Sequence, residues 1–156
     1  MMRLFGACTL LGILGYTAWS TVREERKRLA VLDAWTALLY YIRNQIDCFS
    51  LPLHQIFVSA DKSLFKTLGD DGALPSAESL FHASEPLLDE DCAALLRSWV
   101  SEIGGSHREQ QVKRCDYYLK ELEALRDKRK SALPHRTRLL VTLHLCAGLG
   151  AVILLW

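Results

Sequence analysis

Five histidines, at 54, 82, 107, 135 and 144, and five cysteines, at 8, 48, 92, 115 and 146, are the side chains here best suited to chemistry. A zinc site or a redox pair needs such residues at short repeating separations. No two histidines fall in an HxH or HxxxH arrangement, and no cysteine has another within four residues. The acidic run Asp89-Glu90-Asp91 reads as negative charge at the positive end of a helix dipole rather than as a metal site. Gly104-Gly105 lacks the Lys-Ser/Thr and the preceding strand of a phosphate loop. The pattern predicts no enzyme, no cofactor, no metal and no small-molecule substrate. Cys92 and Cys115 fall on inward helix faces as small core residues. His144 stands inside an apolar stretch, where a titratable group is costly and often functional; the competing reading is a neutral imidazole hydrogen-bonded to a neighbouring helix, helped by Thr142.

The residues around these groups divide by polarity. Half of the 156 residues are hydrophobic and 24% are charged, but the two kinds are segregated. The first 22 residues hold one basic group, Arg3, and no acid, and the stretch 139–156 holds no Asp, Glu, Lys or Arg. A net charge of +1 excludes general nucleic-acid binding, which needs a pronounced basic surface. Scattered cysteines, odd in number, suit a reducing compartment.

Residues 4–22 form a charge-free stretch whose helix would span roughly 28 Å, close to a bilayer's hydrocarbon thickness. Tyr16 and Trp19 lie near its inner end, at the level amphipathic rings prefer. A cleaved leader is the competing reading, with a small-x-small site at Ala18-Trp19-Ser20. Against it stand the single-Arg start and the charged flank 23–28, which reads as a stop-transfer signal. Residues 139–156 form a second apolar stretch, preceded by Arg126, Lys128, Arg129, Lys130, Arg136 and Arg138. Both stretches carry positive charge on the side facing the middle of the chain. The positive-inside rule therefore expects residues 23–138 in the cytoplasm and both termini outside. The cations Arg23, Arg26, Lys27, Arg28, Arg126, Lys128, Arg129 and Lys130 are candidates for topology signals and lipid headgroup contacts, and secondarily for protein docking.

The middle is predicted all-α. A long helix from Arg23 to about Asp47 repeats Leu29, Leu32, Trp35, Leu38/Leu39, Ile42, Ile46 and Phe49 at spacings of three and four. Leu51-Pro52 ends it. A second helix carries Leu53, Ile56, Phe57, Ala60, Leu64 and Leu68 to a turn at residues 69–72. A short helix after Ser76 carries Leu80 and Phe81. The next starts at Asp89, buries Cys92, Leu95, Leu96, Trp99 and Ile103, and stops at Gly104-Gly105. A capping box, Ser106-x-x-Glu109, opens a helix burying Val112, Cys115, Tyr118/Leu119, Leu122 and Leu125. Pro134 predicts a break or kink. Strand signals are absent. The expected architecture is a cytoplasmic helical bundle at 23–138 flanked by transmembrane helices at 4–22 and 139–156.

This layout, with Leu51-Pro52-Leu53 after the first long helix, resembles the stage III sporulation protein AB family. Ile46, Pro52 and Leu53 match a Glu-Ile-x-Tyr-x-x-x-Pro-Leu phrase of that family, with Gln45 for its Glu and Cys48 for its Tyr. Gly104 and Gln111 match a later Leu-Gly phrase and its Gln, with Ile103 for the Leu and His107 for an Asp. Gly148 matches a glycine of the last membrane helix, and His144 stands at another. The resemblance implies a non-catalytic subunit in the mother-cell membrane around the forespore, similar to the platform protein of type II secretion machines. It implies as partners the other membrane subunits, a cytoplasmic ring ATPase and the bilayer. A platform subunit of a secretion or pilus machine, and a secreted helical domain with a cleaved leader, are the alternatives.

Overall fold

A computed structural model of the chain describes residues 2–49, 51–69, 76–105 and 107–155. Side chains at 2–14, 18, 135–137, 140–141, 144–145, 147–149 and 151–155 fall outside that description. Six α-helices follow in order among the described residues: α1 (Met2–Phe49), α2 (Leu53–Ser59), α3 (Lys62–Leu68), α4 (Ala77–Ser84), α5 (Glu90–Glu102) and α6 (Arg108–Leu155). A single 3₁₀ turn, Glu85–Leu87, links α4 to α5, and no strand occurs among these residues. The chain divides into two compact units, one of Met1–Lys27 with Arg129–Trp156, the other of Arg28–Lys128.

The larger unit forms because three- and four-residue apolar spacing gives each helix one face to remove from water. Leu32, Trp35, Leu38, Leu39, Ile42 and Ile46 of α1 are buried, as are Cys115, Tyr118, Leu119 and Leu122 of α6. Each fully buried large aliphatic side chain contributes about 1.5–3 kcal/mol. Polar contacts along the flank set the direction of the pair. Asp33 meets Arg126 at 3.8 Å, Tyr40 donates to Glu123 at 3.0 Å, Arg43 meets Asp116 at 3.0 Å, and Asp47 meets Arg108 at 3.2 Å. Partners on α6 descend as positions on α1 rise, so the two helices run antiparallel.

The shorter helices close the other side. Trp35, fully buried, stands edge-on to Trp99 of α5, ring centroids 6.0 Å apart at 75°. That geometry sets a positive ring edge against a negative face and adds about 0.5–1.5 kcal/mol to the burial. The Trp35 indole N–H donates to Ser84 Oγ of α4 at 2.9 Å. The same hydroxyl donates to Leu80 O at 2.8 Å, so a small polar side chain is satisfied inside the core. Trp99 Nε1, also buried, has no oxygen or nitrogen acceptor and faces the Cys115 thiol. Burial pushes that thiol's pKa up, and the Trp99 indole offsets part of the rise. A buried neutral thiol of this kind is a packing residue.

Four expectations need correction. The helix expected across 53–68 is two helices, because Ala60 is extended (ψ 158) and Asp61 caps α3, accepting from Ser63 N at 2.9 Å. This hydrogen bond holds the Asp61 carboxyl below its ordinary value of 3.8, so its stabilisation is present above that value and lost as pH falls through the lowered one. Phe49, placed on the inward stripe, is 67% exposed at the very end of α1. Phe65, left off it, is buried. Of the break or kink expected at Pro134, the break does not occur: α6 runs through it, since proline's fixed φ is helical and one backbone hydrogen bond is forgone.

Other expectations meet the structure directly. Ser76 caps α4 reciprocally with Ser79. Gly69 and Gly104 have φ of 89° and 95°, left-handed values that stop α3 and follow α5. Residues 70–72 of the turn expected at 69–72, Ser106 of the expected capping box, and the side chains of His135 and His144 lie outside the described residues. Among the described residues no helix is long and apolar enough to cross a membrane. The stretches 4–22 and 139–156 fall mostly on residues whose side chains are outside the description.

Replacing Ser84 with Ala leaves the buried Trp35 donor without an acceptor and is expected to cost about 1–3 kcal/mol in urea unfolding of the full chain. Phe49→Ser, at an exposed position, is expected to stay within about 0.5 kcal/mol.

Candidate functional site

Two regular helices place the eight singled-out cations, and the structure separates them by what they touch. In the larger unit, Arg28 Nη1 meets Asp89 Oδ1 at 3.3 Å. Asp89, at the N-cap of α5, makes no side-chain cap bond and spends its carboxylate on this contact. Arg126 lies between Asp33, at 3.8 Å, and Asp127, at 3.2 Å. Lys128 is exposed.

In the smaller unit, Arg129 Nη2 reaches Glu25 Oε2 at 3.1 Å, with side chains 12% and 26% exposed. That pair joins α1 to α6 across 104 positions of sequence. Because it is largely removed from water, its charges are screened less than those of a surface pair. Arg23 lies over Trp19, its guanidinium carbon 5.3 Å from the ring centroid. Tyr16 lies one turn earlier, its ring 6.5 Å from that of Trp19. Arg26, Lys27 and Lys130 are exposed and form no ion pair among the described residues.

Charge divides with the units. Residues 1–27 and 129–156 carry eight basic and two acidic side chains, a formal +6. Residues 28–128 carry eleven basic and sixteen acidic, −5, and together these give the chain's +1. The near-neutral total therefore conceals a strongly basic unit joined to an acidic one.

Of the other singled-out positions, all but Gly148 collect at one end of the larger unit. Ile46 is buried on α1. Pro52 precedes α2 with φ −65° and ψ 144°, the geometry of an extended entry to a helix. Leu53 Cδ2 lies 3.9 Å from where a Cβ at Gly104 would stand, so the α2 entry packs on the turn after α5. Gln111 is half-buried and lines a cavity of about 10 Å³ with Trp99, Ile103, Arg114, Cys115 and Tyr118. Such a space lies far below the roughly 300 Å³ at which small-molecule pockets begin. Gly148 is within α6, its surroundings outside the described residues. The ion pairs of Arg28, Arg126 and Arg129 escaped the sequence because their partners lie far along the chain; opposite charges at complementary helix ends were the only signal.

A family model for stage III sporulation protein AB matches residues 77–156, just over half of the chain, taking in α4, α5 and α6. Neither a curated protein nor a solved structure matches.

The Glu25–Arg129 pair is open to a charge-exchange test. Arg129→Glu should destabilise the chain by about 1–3 kcal/mol, since it sets two carboxylates together in a half-buried place. The exchanged double variant Glu25→Arg/Arg129→Glu should recover much of the loss, as read by thermal unfolding.

Proposed function

Since the chain belongs to the stage III sporulation protein AB family, we propose that it is a non-catalytic membrane subunit of the complex between mother cell and forespore, serving as an assembly platform. The family is one of sporulation structural subunits rather than enzymes. In this reading the apolar stretches 4–22 and 139–156 are seated in the mother-cell membrane around the forespore. Residues between them stand in the cytoplasm, and both termini lie outside.

The observation that carries the reading is the segregation of charge. The unit holding both apolar stretches is formally +6, and the unit between them −5. Positive charge beside an apolar segment is held on the cytoplasmic side of a membrane, as the positive-inside rule requires. The Glu25–Arg129 bridge supports the same reading, because it holds the residues just after the first apolar stretch against those just before the second, as two stretches entering from one side require. The acidic helical unit is then free to meet the cytoplasmic ring ATPase and the other membrane subunits of the complex. That last contact rests on analogy with secretion-machine platforms.

Membranes from sporulating cells extracted at alkaline pH should retain the chain in the pellet; release into the supernatant would favour a secreted domain with a cleaved leader. The docking surface needs a different test. Arg28, Arg126 and Arg129 hold internal ion pairs, so charge reversal belongs at Lys27 and Lys130 for the basic flank and at the exposed Glu121 for the acidic unit. If the ATPase docks on the acidic unit, reversal at Glu121 should reduce co-purification at least about tenfold while reversal at Lys27 and Lys130 leaves it unchanged. The opposite pattern would move the contact to the basic flank.

A further inference from the structure

We propose that the outer face of α1 formed by Tyr16, Trp19 and Arg23, continued by Arg26 and Lys27, binds the phosphate headgroup of an anionic phospholipid. This rests on the membrane seating proposed above and names the lipid class that the seat selects. Spacings of three and four place these five residues within an arc of about 100° on the helix, with Glu25 on the opposite side, engaged with Arg129. The arc combines two features that water alone would not favour together. Tyr16 and Trp19 are 68% and 59% exposed, a continuous aromatic surface rather than scattered rings. Arg23 lies on the Trp19 ring, 5.3 Å from its centroid. This cation–π contact satisfies no N–H donor, so the guanidinium keeps its donors for a planar or tetrahedral oxyanion, the group Arg recognises bidentately.

Depth along the helix agrees with a lipid ligand. Trp19 and Tyr16 precede Arg23 by four and seven residues, about 6 and 10 Å of rise toward the apolar stretch. A headgroup layer is about 5–8 Å thick on each side of the hydrocarbon, so cation and rings would meet phosphate and the upper acyl region together. Arg26 and Lys27, one turn further out and exposed, add charge without an ion pair among the described residues. The basic unit as a whole, at +6, favours an anionic lipid over a zwitterionic one.

The test uses the full chain in uncharged detergent micelles, titrated with phosphatidylglycerol, with phosphatidylcholine or with inorganic phosphate, and followed by its thermal unfolding midpoint. Phosphatidylglycerol should raise the midpoint saturably, and phosphatidylcholine at equal mole fraction should not. Arg23→Gln should raise the half-saturating phosphatidylglycerol fraction about fivefold while leaving the midpoint without lipid unchanged. Lys62→Gln, exposed on α3, should alter neither. Equal stabilisation by the two lipids, an unshifted half-saturation in Arg23→Gln, or reproduction of the effect by inorganic phosphate would each overturn the assignment. A failure of the membrane seating is read separately, as release of the chain at alkaline pH.

Discussion

Asp33 with Arg126, Tyr40 with Glu123, Arg43 with Asp116 and Asp47 with Arg108 descend α6 as they ascend α1, and this antiparallel register is what the rest of the larger unit is built on. None of these exposed pairs is strong alone. Their part is to fix which way α6 runs, while the burial of Trp35, Leu38, Leu39 and Ile42 supplies the driving force. With α1 and α6 fixed, α4 and α5 have one place to lie. The indole N–H of Trp35 finds Ser84 there, and its ring edge meets Trp99. A buried hydrogen bond with a defined direction specifies one arrangement of helices where apolar contact alone would accept several.

Most of the helices could be read from apolar periodicity, because burial of one face is the same constraint that writes the pattern. Trp35 and Ile42 on α1, Leu96 and Trp99 on α5, and Leu119 and Leu122 on α6 are buried where the spacing placed them. Periodicity failed where local backbone chemistry overrode it. The apolar spacing runs unbroken from Leu53 to Leu68, yet Asp61 closes a cap onto Ser63 and splits the helix. Phe49 fits the stripe but lies at the last position of α1, where no further helix covers it. Pro134 pointed to an interruption, and α6 runs through it.

The candidate site was half legible for a related reason. That Arg28, Arg126 and Arg129 flank apolar stretches is a property of sequence order, whereas their pairing with Asp89, Asp33 and Glu25 is a property of the fold. Position gave a topology; folding then assigned three of those cations to internal partners and left Arg26, Lys27 and Lys130 facing outward. In the same way, Leu53 and Gly104 stand about 50 residues apart in sequence, yet a Cβ at Gly104 would lie 3.9 Å from Leu53 Cδ2. Motif positions that seemed separate mark a single joint between α2 and the turn after α5.

The division into a basic unit carrying both chain ends and an acidic unit between them ties the structure to its proposed setting. Within the basic unit the Glu25–Arg129 bridge joins the inner ends of the two apolar stretches, so in the proposed setting both stretches enter the membrane from one side. The direct measurement is a set of three reporter fusions in sporulating cells: one after residue 1, one after residue 156 and one inserted between residues 70 and 75. Activity characteristic of the outer side at both ends, with cytoplasmic activity at the internal insertion, is the expected result. A cytoplasmic reporter at either end would contradict it.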